Sequence, residues 1–401
     1  MSSYDHLNSN NGNSNWLENE KRRSRKSKII VISSLIAIII VIVVGVSVGV
    51  TVSKNSKHNN ASTTTGGGGG SGGNSSSPVD QPDPNDPSNF VKDPRLHVSF
   101  YGMAYTPAGS QYPACGNNLS SVITDIQLLS QLTTRIRLYG ADCNQSALVL
   151  EAIKQTKTNV SVYLANYNEP TDHTVYTRQK AAIQAAIQTY GTDHILGVTV
   201  GNEYMLNYLN ANGATDPNSA TGNAGAALLK ADIDDTRTMI AGMNLPKKIP
   251  VGNSDAGAYF NTLVLEDIDY GMANVHPWFA NVTIAQAAAW TADFFNTQNV
   301  QPAALLSNHP QMSIAETGWP TQSSDLGDAT NGASAASEAN LQIFLDTFVC
   351  QANQNGTEYF YFEFFDEQWK DIQFGGVEGW WGLFHANKTL KNIQIPNCPL
   401  S

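Results

Sequence analysis

From Leu96 onward, short runs of apolar and β-branched residues alternate with longer stretches whose apolar positions recur at helical spacing. A short apolar run bounded by turn-forming residues reads as a buried strand, and a recurrence at i, i+3, i+4 and i+7 reads as an amphipathic helix. Strands are predicted near 99–105, 134–139, 160–165, 196–201, 249–253, 271–276, 312–316 and 359–364. Helices are predicted between them over 119–132, 146–156, 179–190, 224–243, 284–296 and 335–351. Eight strands alternating with helices predict an α/β fold, a (β/α)8 TIM barrel occupying 95–401. A doubly wound open sheet is the competing architecture, but no glycine-rich phosphate loop follows the first strand.

Ahead of the barrel the pattern changes. Residues 1–28 are rich in Asn, Ser and bases and are predicted to be a disordered cytoplasmic tail. The run 29–52 is apolar and carries no charge. As a helix at ~1.5 Å per residue it reaches about 36 Å, enough to cross a hydrocarbon core of ~30 Å. A cleavable signal peptide has an apolar region of only ~7–15 residues and a small-residue cleavage site, and this segment has neither. Six basic residues between Lys21 and Lys28 precede it, which predicts a type II signal anchor in the cell membrane, with the barrel outside the cell or in its wall. Residues 53–94 are Ser/Gly/Pro-rich and read as a linker. Gly69-Gly70-Ser71-Gly72-Gly73 imitates a hydrolase nucleophile elbow there, but no strand precedes it and no helix follows.

Charge divides along the same line. Residues 1–57 carry eight bases and three acids, while the rest carries 15 bases and 31 acids. An acidic barrel has no positive surface for a nucleic-acid backbone, so nucleic acid is not an expected partner. Cys115, Cys143, Cys350 and Cys398 allow three connectivities, of which Cys115–Cys143 and Cys350–Cys398 close the more local loops. Without C-x-x-C spacing, an H-E-x-x-H string or clustered histidines, no metal site is expected. Sequons begin at Asn60, Asn74, Asn118, Asn144, Asn159, Asn281, Asn355 and Asn387 and suit a glycosylated ectodomain. Asn159 opens a predicted buried strand and is the least suited to modification.

Two strings carry the candidate chemistry, Gly201-Asn202-Glu203 and Ala315-Glu316-Thr317-Gly318-Trp319-Pro320. Each stands at the carboxyl end of a predicted strand, the fourth and the seventh, where barrel enzymes build their active sites. Cleaving a glycosidic bond takes two carboxyl groups, one to protonate the leaving oxygen and one to attack or support the anomeric carbon. Arg135, Arg137 and Tyr139 share one strand face, and one face points into the barrel, so Arg137 is a candidate cation beside a carboxyl that must stay ionised.

With Tyr101-Gly102-Met103-Ala104-Tyr105, Arg135-Ile136-Arg137-Leu138-Tyr139, Val275-His276-Pro277-Trp278-Phe279, Phe364-Phe365-Asp366-Glu367 and Trp369-Lys370, these strings make residues 96–401 resemble glycoside hydrolase family 17. The likeness is to its fungal cell-wall branch of β-1,3-glucanases and glucanosyltransferases. It implies a retaining barrel enzyme with Glu203 as acid/base and Glu316 as nucleophile, and no cofactor. Asn202 is then the candidate for the sugar 2-hydroxyl, and Tyr105, Tyr139, His276, Trp278 and Trp319 are candidate cleft-lining residues. Glu367 and Lys370 resemble the family's polar pair after the last strand. The implied partner is cell-wall β-1,3-glucan, cut at internal bonds by a monomer. Transfer to a second sugar stays open beside hydrolysis. A non-catalytic glucan-binding wall protein is the reading from another class, and it has no need of paired carboxylates.

Overall fold

A computed structural model describes residues 78–398 and 400 of the chain. The predicted tail, the apolar segment 29–52 and the linker as far as residue 77 lie outside the described residues. Among the described residues no helix is long and apolar enough to cross a membrane.

Eight parallel strands close into a barrel, hydrogen-bonded in the order β1-β10-β7-β6-β5-β4-β3-β2. They are β1 (Gly102–Ala104), β2 (Arg135–Arg137), β3 (Ser161–Asn166), β4 (Ile195–Asn202), β5 (Val251–Ala256), β6 (Tyr270–Asn274), β7 (Gln311–Thr317) and β10 (Tyr359–Tyr361). A two-stranded hairpin, β8 (Thr330–Asn331) and β9 (Ser334–Ala335), lies in the loop after β7. The helices are α1 (Leu119–Leu129), α2 (Gln145–Thr156), α3 (His173–Tyr190), α4 (Tyr204–Ala211), α5 (Ala220–Gly242), α6 (Thr262–Leu265), α7 (Ile284–Phe295), α8 (Gln301–Ala304), α9 (Glu338–Gln354) and α10 (Gln368–Phe374). Every predicted strand is present. Helix α3 begins six residues earlier than predicted, because Asp172 caps it through Thr174 N.

Two boundaries differ from expectation. The linker was expected to run to residue 94, yet Val79 is already buried in the core. The Gln127 amide of α1 donates to Gln81 Oε1 at 3.0 Å and to Pro87 O at 2.9 Å, so the packed domain starts well before β1. Asn159 is exposed just ahead of β3 rather than buried with it, so its sequon is as accessible as the others described.

Most of the core lies between the barrel wall and the helices. A second, smaller cluster of Tyr270, Met272, Ala315 and Phe360, with Tyr101 and Tyr163 against it, plugs the barrel interior. A Cβ at Gly102 would stand 2.4 Å from the Phe360 ring, so that ring fits the plug only because position 102 has no side chain. The Arg135 guanidinium lies 4.3 Å from the Tyr101 centroid beside this plug.

Both disulfides pair as expected, Cys115–Cys143 and Cys350–Cys398. The second ties α9 to the C-terminal strap, whose Cys398 N–H donates to Ser99 Oγ at 3.1 Å. The Asn353 amide of α9 meanwhile donates to Ser99 O and Cys398 O. The bridge therefore guards the seam where β1 meets β10. Replacing Cys350 and Cys398 together by Ser should lower the unfolding free energy by roughly 2–4 kcal/mol. Denaturant titration of the two proteins measures the difference, and an unchanged midpoint would show that the strap does not hold the seam.

Candidate active site

Both candidate glutamates follow an irregularity in their strand. On β7 the register with β6 runs Ala273↔Ile314 and then Asn274↔Glu316, so one residue of β7 is extra. On β4 the register with β5 runs Thr199↔Gly252 and then Asn202↔Ser254, again with one residue to spare. A bulge of this kind re-aims the side chains that follow it. On β4 it uses Gly201 at φ +92°, where an added Cβ would meet Asn253 Nδ2 at 2.9 Å. The backbone then turns further, and Glu203 itself sits at φ 57°, ψ 32°. A non-glycine residue there costs on the order of 1–3 kcal/mol, so its surroundings must impose it. They do so through Glu203 N–H to Ser254 O at 3.1 Å and through Asp255. The Asp255 carboxylate, on β5, accepts from Met205 N at 2.8 Å and Leu206 N at 3.3 Å and so caps α4 from another strand.

Glu316 lies in a cationic cradle. Arg137, only 1% exposed, donates through Nη1 to Glu316 Oε1 at 3.1 Å and to Ala315 O at 3.2 Å. Its Nη2 donates to Asn202 Oδ1 at 2.9 Å, and its guanidinium lies 4.4 Å from the Tyr139 ring centroid. His276 Nε2 bonds Glu316 Oε2 at 3.0 Å, which assigns the Nε2–H tautomer to a ring facing a carboxylate. Burial alone would raise the Glu316 pKa. The His276 hydrogen bond and the charges of Arg137 and Lys370 outweigh it and bring the carboxyl down to about 2.

Glu203 has the opposite surroundings. Burial first, and then repulsion from Glu316, push its carboxyl up to about 7, against a smaller opposing effect of the Asn274 hydrogen bond. Asn274 Nδ2 donates to Oε1 at 3.1 Å, which leaves Oε2 to carry a proton. Burial and the neighbouring carboxylate thus favour the protonated form of Glu203, while hydrogen bonds and cations favour the ionised form of Glu316, the arrangement by which acid and nucleophile roles are separated.

Below β10, Lys370 reaches Glu363 Oε2 at 2.5 Å and Glu367 Oε2 at 3.2 Å. Burial opposes its charge, but the two carboxylates outweigh burial and hold the ammonium above its ordinary range. Burial and the neighbouring Glu367 raise Glu363 well above the usual carboxylate range, against the pull of Lys370. Trp369 Nε1 donates to Glu367 Oε2 at 2.7 Å.

The structure therefore gathers Arg137, Tyr139, Asn202, Glu203, His276, Glu316, Glu367 and Lys370. Three predicted cleft residues are placed elsewhere. Tyr105 is 1% exposed and gives its hydroxyl to Asp125 Oδ2 at 2.7 Å. Trp278 and Trp319 are 2% and 0% exposed and pack edge-on at 5.5 Å, with Trp319 Nε1 bonded to Ala335 O. None of these rings offers a face to a ligand, because each fills core behind the loops. The exposed aromatic beside the site is the next residue, Phe279, which stands edge-on to His276 at 5.9 Å. Sequence reasoning missed Asn274, Asp255, Tyr167 and Glu378, all of which act electrostatically or by hydrogen bonding on the two glutamates. Asn274 lies two residues before His276, a strand spacing that could have revealed it.

The family model for the BtgE/BtgC glycoside hydrolase domain matches residues 102–382. A probable glucan endo-1,3-β-glucosidase btgC of Aspergillus terreus is 34% identical over 340 residues, covering 79% of this chain and 48% of the relative. The glucan endo-1,3-β-glucosidase btgC of Emericella nidulans is 34% identical over 321 residues, covering 76% and 47%. The chain thus spans about half the length of the curated relatives it matches. A solved family 17 β-1,3-glucanosyltransferase from Rhizomucor miehei superposes with a TM-score of 0.59 at 24% identity, covering 75% of this chain and 98% of that one, a likeness of fold.

A chemical step that draws on the Glu203 proton should fade as pH rises through about 7, while Glu316 keeps its charge down to about 2. Because the folded chain holds the Glu203 proton above the ordinary carboxyl value of 4.5, stability from this group is present below that value and is lost as pH rises to about 7. Carboxyl-selective NMR titration measures both midpoints. A Glu203 midpoint in the ordinary carboxylate range would contradict the site's electrostatics.

Proposed function

The chain belongs to the BtgE/BtgC glycoside hydrolase domain family, and on that premise we propose that it cleaves internal β-1,3-glucosidic bonds of cell-wall β-glucan by a retaining mechanism. The observation that carries this reading is the pair of buried glutamates at the carboxyl ends of β4 and β7, Glu316 bonded to Arg137 and His276 and Glu203 receiving only the Asn274 amide. Glu316 attacks the anomeric carbon while Glu203 gives its proton to the departing glycosidic oxygen, forming a glycosyl-enzyme ester. Glu203, now a carboxylate, takes a proton from water as the water oxygen attacks that carbon. The sugar leaves with its original configuration, Glu316 regains its charge and Glu203 its proton. Arg137 orients Asn202 through Oδ1, and the amide NH2 is left for the sugar 2-hydroxyl, a bond that strengthens as the ring becomes oxocarbenium-like.

The family likeness and the btgC relatives support β-1,3-glucan as the substrate. The uncharged segment 29–52 and the bases before it support a type II membrane anchor that holds a monomeric barrel on the outer side, with N-glycans on exposed sequons. Digesting sealed cells with protease should remove the barrel and spare a tag on the first residues, and loss of the tag would reverse the orientation.

The catalytic roles are separable by stereochemistry. Glu316→Ala should abolish turnover of glucan, and azide filling the vacated space should attack directly and give a glycosyl azide of inverted configuration. Glu203→Ala should retain the first step on substrates with activated leaving groups. Azide should then intercept the ester and give a product of retained configuration. Polarimetry and NMR of the products read the difference, and the same anomer from both variants would refute the assignment. Mass spectrometry of laminari-oligosaccharide digests should show products shorter than the substrate, whereas longer ones mark transfer.

A further inference from the structure

On the rim formed by the loops after β1 and β2 and by the start of α3 lies a hollow of about 420 Å³. Tyr112 stands over it with 57% of its surface exposed. The Arg178 guanidinium lies 4.0 Å from the Tyr112 ring centroid. Asp142 fixes that guanidinium in a fork, accepting from Nε at 2.6 Å and from Nη2 at 2.8 Å. The Cys115–Cys143 disulfide staples the two loops together, and Asn117 crosses between them by donating to Ser110 Oγ and Cys143 O. Tyr112 is thus an exposed aromatic ring beside a guanidinium that is itself held in place.

The hollow is joined to the catalytic centre by buried contacts. Gln179, 2% exposed, accepts from Ala141 N and Tyr167 N through Oε1, and donates through Nε2 to Asp142 Oδ2 and Tyr167 O. Burial, and then the charges of Glu203, Glu169 and Glu316, push the Tyr167 hydroxyl up to about 12. Gly140 permits the close packing, since a Cβ there would meet Gln179 Oε1 at 2.9 Å and Tyr167 Cβ at 3.3 Å. An exposed ring for stacking, a planar cation–carboxylate pair and neighbouring amides are the groups that recognise a sugar ring with its hydroxyls. Resting on the β-glucan reading above, we propose that this hollow is a remote glucan-binding site, which takes a segment of the same polysaccharide beyond the residues held at Glu203 and Glu316. Stacking on Tyr112 supplies its affinity, and the Arg178–Asp142 pair with Asn117 supplies hydroxyl contacts.

Asn144 also lines the hollow and opens a sequon, so a glycan on it offers sugar chemistry from the chain's own surface. The test measures dissociation constants for long laminarin and for laminaritriose by calorimetry. It uses the full chain carrying Glu316→Gln to stop turnover, before and after removal of N-glycans. In the deglycosylated chain, adding Tyr112→Ala should weaken laminarin binding about fivefold and laminaritriose binding by less than about twofold, while Tyr112→Phe should keep the long-chain affinity. Equal weakening for both sugars, no weakening for laminarin, or loss in Tyr112→Phe overturns the proposal. A Tyr112 effect on laminarin that appears only after deglycosylation identifies the Asn144 glycan as the occupant and overturns it as well. A wild-type chain that leaves laminarin uncut overturns the catalytic reading instead, and the binding comparison still decides the hollow.

Discussion

The Arg137 guanidinium is the constraint on which both barrel and site depend. A cation that is 1% exposed is tolerable only if the protein replaces its hydration shell, and here the replacement comes from two strands at once. Strand β7 provides Glu316 and the Ala315 carbonyl, and β4 provides the Asn202 amide oxygen. Any slip of β2 against either partner would strand a buried charge, at a cost of several kcal/mol. The register that lets the barrel close is therefore the register that brings the two glutamate loops together. Folding and chemistry are enforced by the same ion.

Different neighbours explain why two residues of one type behave differently. Glu316 is as buried as any core side chain, yet Arg137 and His276 take its two oxygens and Lys370 adds charge from β10's side. Glu203 receives an amide and no cation in hydrogen-bonding contact, so burial and the negative charge of Glu316 dominate. The left-handed backbone at Glu203 belongs to the same design. It turns the side chain from the strand line into the cleft, and Asp255 holds the turn by capping α4 from β5. Without that cap the first turn of an eight-residue helix would have two unsatisfied N–H groups close to the acid.

The barrel was legible because short apolar and β-branched runs recur between stretches that keep helical spacing, although β2 and β5 carry polar residues within them. The placement of Glu203 and Glu316 after the fourth and seventh strands followed from counting alone. Their inward aim did not, because it depends on one extra residue in each strand, and a bulge leaves no trace in alternation except, on β4, Gly201. Tyr139 and His276 lie at the site, whereas Tyr105, Trp278 and Trp319 are buried in the core for a related reason. In Trp278-Phe279 either ring can be core, and the one-turn 3-10 helix Pro277–Ala280 buries the larger and exposes the smaller. Helix α4, Asp255 and Tyr167 were invisible as site elements because their roles arise between strands rather than along the chain.

One thin part of the wall runs through the motif 101–105, which carries β1. Strands β1 and β10 are three residues each and pair through only two register positions, Gly102↔Phe360 and Met103↔Tyr361. So short a ladder leaves the seam dependent on what crosses it. Ser99, just ahead of β1, receives Asn353 and Cys398 from the far side, while Lys388 reaches back to the buried Asp125 of α1 and Lys391 bonds Asp366 at 2.7 Å. Each of these contacts comes from α9 or from the strap after β10. The strap closes the barrel that β10 leaves barely closed, and through Lys391 and Asp366 it is fixed to the stretch 363–370 that carries Lys370, whose charge helps keep Glu316 ionised.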